Sequence, residues 1–378
     1  MDFSFSEDQE AVSALAERIV GDFATHERLR ALESDPDGGH VDRDLWVAMA
    51  EAGLVGIGLS EDVGGGGRGF AEVAVVTEAA GRHAAPVPVV ETMAAAAPAV
   101  DVFGAPAARD RWLPGVVAGT TVVTTALAEP GGDPARPDVR AVAEEGGWVL
   151  EGATSCVPWG LVADAALVPA RVDDGVEVFV VDLGAPGVAR TRQDTTSGRP
   201  EAHLAFSGVR LGADDVLGRS GDRRTTGEEV VQWLLLRTKA ALAVTEAGVV
   251  AAALALLAAY TSEREQFGKA IATFQAVGQR AADAYVDAEA VRLSAWQAVW
   301  RLDAGLPADD AVDVATYWAA EGGQRVVHAA THLHGGVGVD RDYPLHRFFL
   351  LTRHLELTLG GATEHLVRIG TRLAETPV

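Results

Sequence analysis

Apolar residues recur at helical spacing through the first third of the chain. Ser6 can cap a helix predicted over 7–20. The apolar face of that helix comprises Val12, Leu15, Ile19 and Val20. Further helices are predicted over 45–52, with Asp42 or Asp44 as the N-cap, and over 70–83 and 88–102. Residues 1 to about 120 therefore form a helical region.

The pattern changes near Thr120. From there to about Gly218, short runs rich in valine and alanine lie between clusters of glycine, proline and aspartate, which is typical of strands joined by turns. The predicted strands are 122–127, 139–143, 148–151, 165–168, 176–181 and 202–206. They predict a small antiparallel domain, either a barrel or a sandwich.

The helical period returns at Glu228 and continues to the end of the chain. It is carried by Val277, Ala281, Tyr285, Ala288, Ala295, Val299 and Leu302. The predicted organisation is a helical domain over 1–120, a β domain over 121–227 and a helical bundle over 228–378. The stretch 240–260 is very apolar, but Thr245 and Glu246 near its middle favour a buried bundle helix, so no membrane span is predicted.

Charge and cysteine content exclude several classes of partner. The net charge of −23 argues against nucleic acid and anionic membranes as partners, although local basic groups can still bind an anionic ligand. Cys156 is the only cysteine, so no internal disulfide is predicted, and a reducing cytosol is favoured. The first residues lack the charged and apolar regions of a signal peptide. These features together predict a cytoplasmic protein.

Candidate chemistry is concentrated in the run Arg-Glu-Gln-Phe-Gly-Lys over 264–269, which is followed by Phe274 and Gln275. This run offers a cation and an amide for phosphate oxygens, an aromatic face for a planar ring and a glycine for close backbone approach. Such groups suit the pyrophosphate and adenine of a dinucleotide. The alternative is a plain helix-turn-helix corner, with Gly268 as a C-cap and Phe267 in the core.

The run resembles the FAD-contacting signature of the acyl-CoA dehydrogenase family, and the resemblance covers essentially the whole chain. It implies a mainly α fold with an N-terminal helical domain, an antiparallel β-barrel and a C-terminal four-helix bundle. In that family this corner reaches across a subunit interface to the adenosine-pyrophosphate half of a neighbour's FAD. The resemblance therefore implies that Arg264, Gln266, Phe267 and Gln275 bind FAD.

A second run, His-Leu-His-Gly-Gly-Val-Gly over 332–338, resembles the family's Gln-x-x-Gly-Gly-x-Gly. The resemblance adds His332, Gly335 and Gly336 to the FAD-binding residues, with His332 in place of the usual glutamine. An imidazole can still donate to a carbonyl or phosphate oxygen. The alternative is that His332 and His334 are structural; a metal site is not predicted, because residues two apart do not share a helix face.

The family's catalytic base is missing from its usual place. Abstraction of the Cα proton of a thioester needs a carboxylate, but the matching position is Gly360. A second group of members carries the base on the long preceding helix, and counting back from Arg264 leads to Thr238 and Lys239, neither of which is a carboxylate. Two other carboxylates, Glu246 and Glu356, are candidates for a relocated base, although a buried carboxylate paired with a neighbour is the simpler explanation. Glu364, about one helical turn after Gly360, matches a downstream polar position that is not the base in the family. No catalytic residue is predicted.

The residues that would hold the flavin ring also depart from the family. The run Thr-Glu-Pro-x-Ala-Gly-Ser-Asp survives only as Ala-Glu-Pro-Gly-Gly-Asp over 128–133. The strand Trp-Ile-Thr-Asn, which packs against the ring, is replaced by Cys-Val-Pro-Trp-Gly over 156–160, and Pro158 has no N–H to donate. The resemblance thus implies a good adenosine half-site and a poor flavin-ring half-site.

This combination resembles the base-lacking subunit of the actinobacterial α2β2 acyl-CoA dehydrogenases that oxidise steroid side-chain CoA thioesters. It implies FAD as cofactor, a base-bearing homologue as partner, an acyl-CoA substrate and an electron-transfer flavoprotein or similar acceptor. Helix residues 242–257 are expected to form a core shared between the unlike subunits. Two alternatives stay open: a self-sufficient homotetramer with a relocated base, and a non-enzymatic subunit that binds acyl-CoA or is structural.

Overall fold

The computed structural model describes residues 4–35, 40–127, 131–219 and 224–375. Eleven α-helices lie within these residues. They are α1 (Glu7–Phe23), α2 (His26–Ser34), α3 (Arg43–Glu51), α4 (Phe70–Arg82), α5 (Ala97–Phe103), α6 (Pro106–Val117), α7 (Gly227–Glu263), α8 (Gln275–Asp303), α9 (Asp309–His334), α10 (Leu345–Leu357) and α11 (Ala362–Glu375). A π-helical stretch, Val89–Ala96, runs into α5, so the helix predicted over 88–102 is only partly α.

Local caps set the starts of the N-terminal helices. The Ser6 hydroxyl accepts from the backbone N–H of Gln9, and the Gln9 side chain accepts from the Ser6 N–H, forming a capping box. Asp42, rather than Asp44, caps α3 by accepting from the backbone N–H of Leu45 at 2.9 Å. Asp42 is fully buried and tolerates this because Arg28 neutralises it at 2.6 Å.

The middle of the chain forms one curled, half-barrel sheet. Its strands are β1 (Val123–Thr125), β2 (Arg140–Glu144), β3 (Gly147–Val157), β4 (Ala165–Val172), β5 (Gly175–Asp182), β6 (Val188–Gln193) and β7 (Glu201–Gly212). The strand order is β1-β4-β2-β3-β7-β6, and β5 pairs with β4. Long antiparallel ladders join β3 to β7 and β4 to β5.

Two features of the sheet differ from the sequence expectation. Strand β4 pairs in parallel with β1 and, at a single position, with β2, so the domain is not purely antiparallel. Strand β6 was not predicted, since it is mostly exposed and carries only two apolar residues, Val188 and Ala189. The six predicted strands all exist, and β3 and β7 extend well beyond their predicted bounds.

The C-terminal helices surround α9, which packs against α8, α10 and α11. Among the described residues, α7 is the one helix long and apolar enough to cross a membrane, but 72% of its most apolar window is buried inside the protein, as in a bundle core. Residues 240–250 are buried within this chain. The expectation that 242–257 forms a core shared between subunits is therefore wrong for its first half, which packs against its own chain.

The chain divides into two compact units. The first comprises the described residues within Met1–His26, Thr77–Ala85 and Lys239–Val378. The second comprises those within Glu27–Val76 and Pro86–Thr238. The three-domain division at 120 and 227 stays a prediction. All residues assigned to the adenosine half-site lie in the first unit, and the sheet lies in the second.

Candidate functional site

The corner that carries the motif is a tight hairpin. Strands β8 (Glu265–Gln266) and β9 (Lys269–Ala270) pair so that Phe267 and Gly268 form the two-residue loop. Their φ angles are +56° and +78°, and two positive φ angles in a row are the requirement of a type I′ turn. The helix-turn-helix alternative is wrong in both details, because Gly268 is a turn residue rather than a C-cap and Phe267 is 93% exposed rather than in the core.

The groups around Phe267 leave its ring accessible. The Phe274 ring meets it edge-on, with centroids 6.1 Å apart, and Lys269 Nζ lies 4.4 Å from the Phe274 ring centroid. The side-chain amide of Gln266 donates to the Glu265 carbonyl at 2.8 Å. Arg264 and Gln275 are also exposed, so the corner presents its cation, amides and aromatic face to the surroundings.

Aromatic stacking brings the glycine run to this corner. Tyr260, one turn before Arg264, stacks on His334 with ring centroids 4.3 Å apart. His334 Nδ1 donates to the Ala330 carbonyl at 2.7 Å, which leaves Nε2 to accept from the Tyr343 hydroxyl at 3.1 Å. Burial lowers the pKa of His334, so the ring is neutral and structural. The ends of α7 and α9 are thereby joined.

Beside that stack, the glycine run is open. A Cβ added at Gly335 or at Gly336 would meet no atom within 4 Å. His332, in contrast to His334, is exposed. The structure thus brings the seven residues predicted to bind FAD to one end of the C-terminal helices. No group of three His, Cys, Asp or Glu suitable for a metal ion occurs in the described part of the chain.

At the base position the structure adds a carboxylate that the sequence argument had set aside. Gly360 has φ +105°, and a Cβ built there would lie 2.6–3.1 Å from the carboxyl group of Glu364. The Glu364 carboxylate therefore fills the space that a side chain at 360 would take. It is half exposed and pairs with Arg368 at 2.8 Å. The spacing of four residues, one helical turn, was the signal available in the sequence.

A buried ionic network backs this position. Asp313 lies 2.7 Å from Arg372, 3.6 Å from Lys239 Nζ and 3.4 Å from His365 Nδ1. Burial alone would raise the pKa of Asp313, but His365, Lys239 and Arg372 outweigh it and hold that pKa at about 2. His365 also lies 3.1 Å from the Gly360 carbonyl through Nε2.

Lys239, at the second position where the family carries its base, interacts electrostatically with residues that follow the first position, Gly360. Burial and the nearby Arg368 lower the pKa of its ammonium, while Asp313 and Glu364 oppose them. The side chain at the second base position is thus within electrostatic reach of the side chain that covers the first. Thr238, the alternative residue at that position, donates its hydroxyl to the Leu234 carbonyl at 2.8 Å and is occupied within its helix.

The other two candidate carboxylates each have a polar partner within this chain. Glu246 is fully buried and accepts from the Thr352 hydroxyl at 2.7 Å. Burial raises the pKa of its carboxyl well above the usual range. Glu356 pairs with Arg353, although burial still raises its pKa.

In the second unit, the residues that replace the flavin-packing strand turn inward. Trp159 is fully buried, and its indole N–H donates to Glu91 at 2.8 Å. The Arg199 guanidinium lies 3.9 Å from Glu91 and 5.7 Å from the Trp159 ring centroid. Burial raises the pKa of Glu91, and Arg199 opposes it. The indole is therefore committed to the chain's own interior.

Backbone groups beside Trp159 are also hydrogen-bonded within the chain. The Pro158 carbonyl accepts from the Thr124 hydroxyl at 2.6 Å, and the Cys156 N–H donates to Gln193 at 2.6 Å. Cys156 and Trp159 both have positive φ angles, which side chains other than glycine adopt only under local constraint. Ala128, Glu129 and Pro130 of the other predicted ring-side run lie outside the described residues.

Comparison with known proteins decides the family. A model of the acyl-CoA dehydrogenase N-terminal domain matches residues 6–120, and one of the C-terminal domain matches residues 225–374. The chain is 39% identical to acyl-CoA dehydrogenase FadE27 of Mycobacterium tuberculosis, over the full length of both proteins. It is 34% identical to FadE28 of the same organism, over 89% of this chain and 94% of that relative. The chain belongs to the acyl-CoA dehydrogenase family.

Solved structures agree. The chain superposes with a TM-score of 0.93 on a chain of the ChsE4-ChsE5 complex from Mycobacterium tuberculosis, at 39% identity and full coverage of both chains. A chain from a variant of the Tcur3481-Tcur3483 steroid ACAD gives 0.90, at 42% identity and 98% coverage of each. These comparisons confirm the predicted family and fold and the predicted FAD cofactor. They also confirm the predicted class of enzyme, an oxidoreductase that dehydrogenates CoA thioesters.

Proposed function

We propose that this chain is the base-lacking subunit of a heteromeric acyl-CoA dehydrogenase and completes the FAD site of an unlike, base-bearing family member in an α2β2 tetramer. The observation that carries the proposal is Phe267, which is 93% exposed at positive φ. A bulky side chain in that conformation costs its own chain free energy and buries almost nothing there. Its benefit therefore lies in contact with a second molecule.

The described residues fit one half of FAD. The Arg264 guanidinium and the amides of Gln266 and Gln275 suit the pyrophosphate, and the Phe267 ring suits the adenine. The open backbone at 335–336 lets a ligand approach closely, with the exposed His332 as a further donor. When bound, FAD accepts the hydride from Cβ of the thioester.

The described residues do not fit the ring half. Trp159 is fully buried and donates its indole N–H to Glu91, and Pro158 has no backbone N–H, so neither an indole face nor a backbone donor at 158 is left for a flavin ring. Gly360 has no group that could take a proton from Cα of the substrate. The unlike subunit would supply both. This chain would then bind and orient the adenosine-pyrophosphate half of FAD, and its partner would abstract the proton from Cα of the substrate.

The relatives support a more specific assignment. One structural neighbour belongs to the ChsE4-ChsE5 complex, and another belongs to the Tcur3481-Tcur3483 steroid ACAD. We assign a steroid side-chain CoA thioester as the substrate, an electron-transfer flavoprotein or similar carrier as the acceptor and the cytoplasm as the location. The single cysteine agrees with that location.

The test compares this chain alone with this chain co-purified with a base-bearing homologue. The expected result is little flavin and no turnover for the lone chain, and two FAD per tetramer with turnover on a CoA thioester for the complex. Losing a positioned base typically forfeits about 10²–10⁴ in rate. One FAD per chain and full turnover in the lone chain would overturn the proposal.

An arginine variant tests the half-site itself. A charge-assisted hydrogen bond contributes about 1.5–3 kcal/mol, so R264A should weaken FAD retention by the complex about 10- to 100-fold. R210A removes an exposed arginine of the sheet and is the matched control. Equal FAD content in R264A, R210A and the unchanged complex would contradict the role of Arg264.

A second candidate function, a self-sufficient enzyme with a relocated base, is favoured by the Glu364 carboxylate at the place of a residue-360 side chain. Under that function E364Q would abolish the turnover of the lone chain. Under the α2β2 function the lone chain has no turnover to lose, and E364Q leaves the complex active. A complex that binds acyl-CoA without turnover would instead indicate a non-enzymatic role.

A further inference from the structure

Three aromatic rings meet where α7 and α9 end. The rings of Tyr260 and His334 are stacked with an interplanar angle of 22°. The centroid of the Tyr343 ring lies 5.2 Å from that of His334 and 6.4 Å from that of Tyr260. These three residues are called the ring cluster below. None of them is among the residues assigned to FAD, and His334 is 3% exposed, so the chain itself covers the centre of the cluster.

Two members of the ring cluster adjoin the segments that we assign to FAD. Tyr260 precedes Arg264 by one turn, and the Arg264 N–H donates to the Tyr260 carbonyl at 2.8 Å. His334 ends α9 and directly precedes Gly335, whose φ of +63° and ψ of −138° suit glycine. The stacked pair therefore fixes the start of the hairpin relative to the start of the glycine run.

The third member closes the stretch 335–342, which contains the glycine run. The Tyr343 hydroxyl donates to His334 Nε2 at 3.1 Å, and these two residues lie immediately after and before that stretch. Burial raises the pKa of Tyr343 and lowers the pKa of His334, so both side chains are neutral near pH 7. Packing of rings alone would need no such bond. A buried polar pair with its hydrogen bonds made restricts the rings to one arrangement.

We propose that Tyr260, His334 and Tyr343 are positioning residues for the adenosine half of FAD. They hold Arg264 and the glycine run at the separation that lets one FAD contact both. This inference rests on the proposed function, because it assigns the ring cluster to the FAD site of the complex. The physical reason is preorganisation. Two segments that are already fixed relative to each other lose less freedom when a ligand bridges them, so the affinity rises without a new contact.

Leucine at position 260 removes the ring and keeps an apolar side chain. In a complex with a base-bearing homologue, Y260L should weaken FAD retention about 5- to 10-fold, although every side chain assigned to FAD is still present. Y260F keeps the ring and should restore retention. F349L is the matched control, because it removes a ring that meets His328 edge-on at 5.0 Å, in a contact that includes no residue assigned to FAD. Circular dichroism verifies folding, and equal FAD retention in Y260L and F349L would overturn the proposal.

A double variant shows whether Tyr260 acts through Arg264. If the ring cluster positions Arg264, Y260L should reduce FAD retention less in an R264A background than in the unchanged complex, so the two losses should not add. A purely structural role of the ring would reduce retention by the same factor in both backgrounds. Fully additive losses would therefore overturn the positioning role.

Hydrogen exchange of backbone amides in the lone full-length chain separates this inference from the proposed function. Y260L should speed exchange in both segments, 264–271 and 335–342, and F349L should speed it in neither. Unchanged exchange in Y260L would overturn the ring cluster whatever the FAD result. Unchanged FAD retention in the R264A complex would instead overturn the assigned half-site, and the positioning role with it.

Discussion

Replacing Phe267 by glycine separates the cost of the hairpin from its use. Phe267 holds φ +56° in a two-residue turn whose other residue is Gly268. Glycine adopts that region without the steric clash that a Cβ introduces. F267G should therefore change the stability of the chain little, and it removes the aromatic face that we assign to the adenine.

The magnitudes follow from the geometry. Removing the Cβ that clashes at positive φ stabilises the folded chain by about 1–2 kcal/mol. The greater conformational freedom of glycine in the unfolded chain destabilises it by about 0.5–1 kcal/mol. The ring is almost fully exposed, and loss of its edge-on contact with Phe274 destabilises the chain by about 0.5–1.5 kcal/mol. The free energy of unfolding should thus change by between about −1.5 and +1 kcal/mol. Loss of stacking on a base, about 1–3 kcal/mol, should lower FAD retention by about 5- to 150-fold.

F267A is the matched variant, because it loses the same ring but keeps a Cβ at positive φ. Denaturant unfolding of the chain should show F267A to be about 1 kcal/mol less stable than F267G. Flavin absorbance per protein mass in the complex should fall equally in both. If F267A proves as stable as F267G, the turn is not strained as argued. If both variants retain FAD like the unchanged complex, Phe267 does not contact the cofactor.

Three further outcomes are expected. G360E should not create a second active centre, because φ is +105° at that position and the Glu364 carboxylate already fills the space; doubled turnover per tetramer would contradict this. W159F should lower the free energy of unfolding by about 1–3 kcal/mol, because buried Glu91 loses its indole donor; an unchanged denaturation midpoint would refute that bond. Burial raises the pKa of Glu246 in the folded chain, so the folded state holds this proton more tightly than the unfolded state does. The protonated carboxyl therefore contributes fully to stability below the ordinary pKa of a glutamate. Above that, the free energy of unfolding falls by up to about 1.4 kcal/mol per pH unit until the raised pKa is reached. E246Q should match the original chain in thermal unfolding below the ordinary pKa of a glutamate and exceed it increasingly as the pH rises above that; an equal difference at every pH would show that the folded-state pKa of Glu246 is not raised.

The helices were predictable because their determinants are local. Ser6 and Asp42 act as caps within three residues of their targets, and the apolar period of α8 and α9 spans several turns. The sheet was less predictable. The parallel pairing of β4 with β1 joins residues about 40 apart, and nothing within either strand specifies its direction. Strand β6 is recognisable only by its ladder to β7, since its own side chains are mostly exposed and polar.

The candidate site shows the same division between local and distant determinants. The motif located the corner between α7 and α8, but the short β8–β9 hairpin within it was not predicted. Its outward Phe267 was not expected from pattern alone, which also allowed a core residue. The inward Trp159 depends on Glu91, 68 residues earlier, and the neutral His334 depends on Tyr260. Partners at such separations are fixed by packing, and sequence spacing does not reveal them.

The proposed lack of a catalytic base involves more than one residue of this chain. Lys239 and Gly360 lie 121 residues apart in sequence, yet Glu364 and Arg368 act electrostatically on Lys239 from the turn that follows Gly360. Both positions where the family carries its base therefore belong to one region, and there Asp313 binds the cations Lys239 and Arg372. A carboxylate restored at either position would enter a region whose charges are already paired, and a glutamate at 360 would also meet a like charge from Glu364. Both positions are therefore poor places for a new carboxylate, which agrees with the proposal that a partner subunit supplies the base.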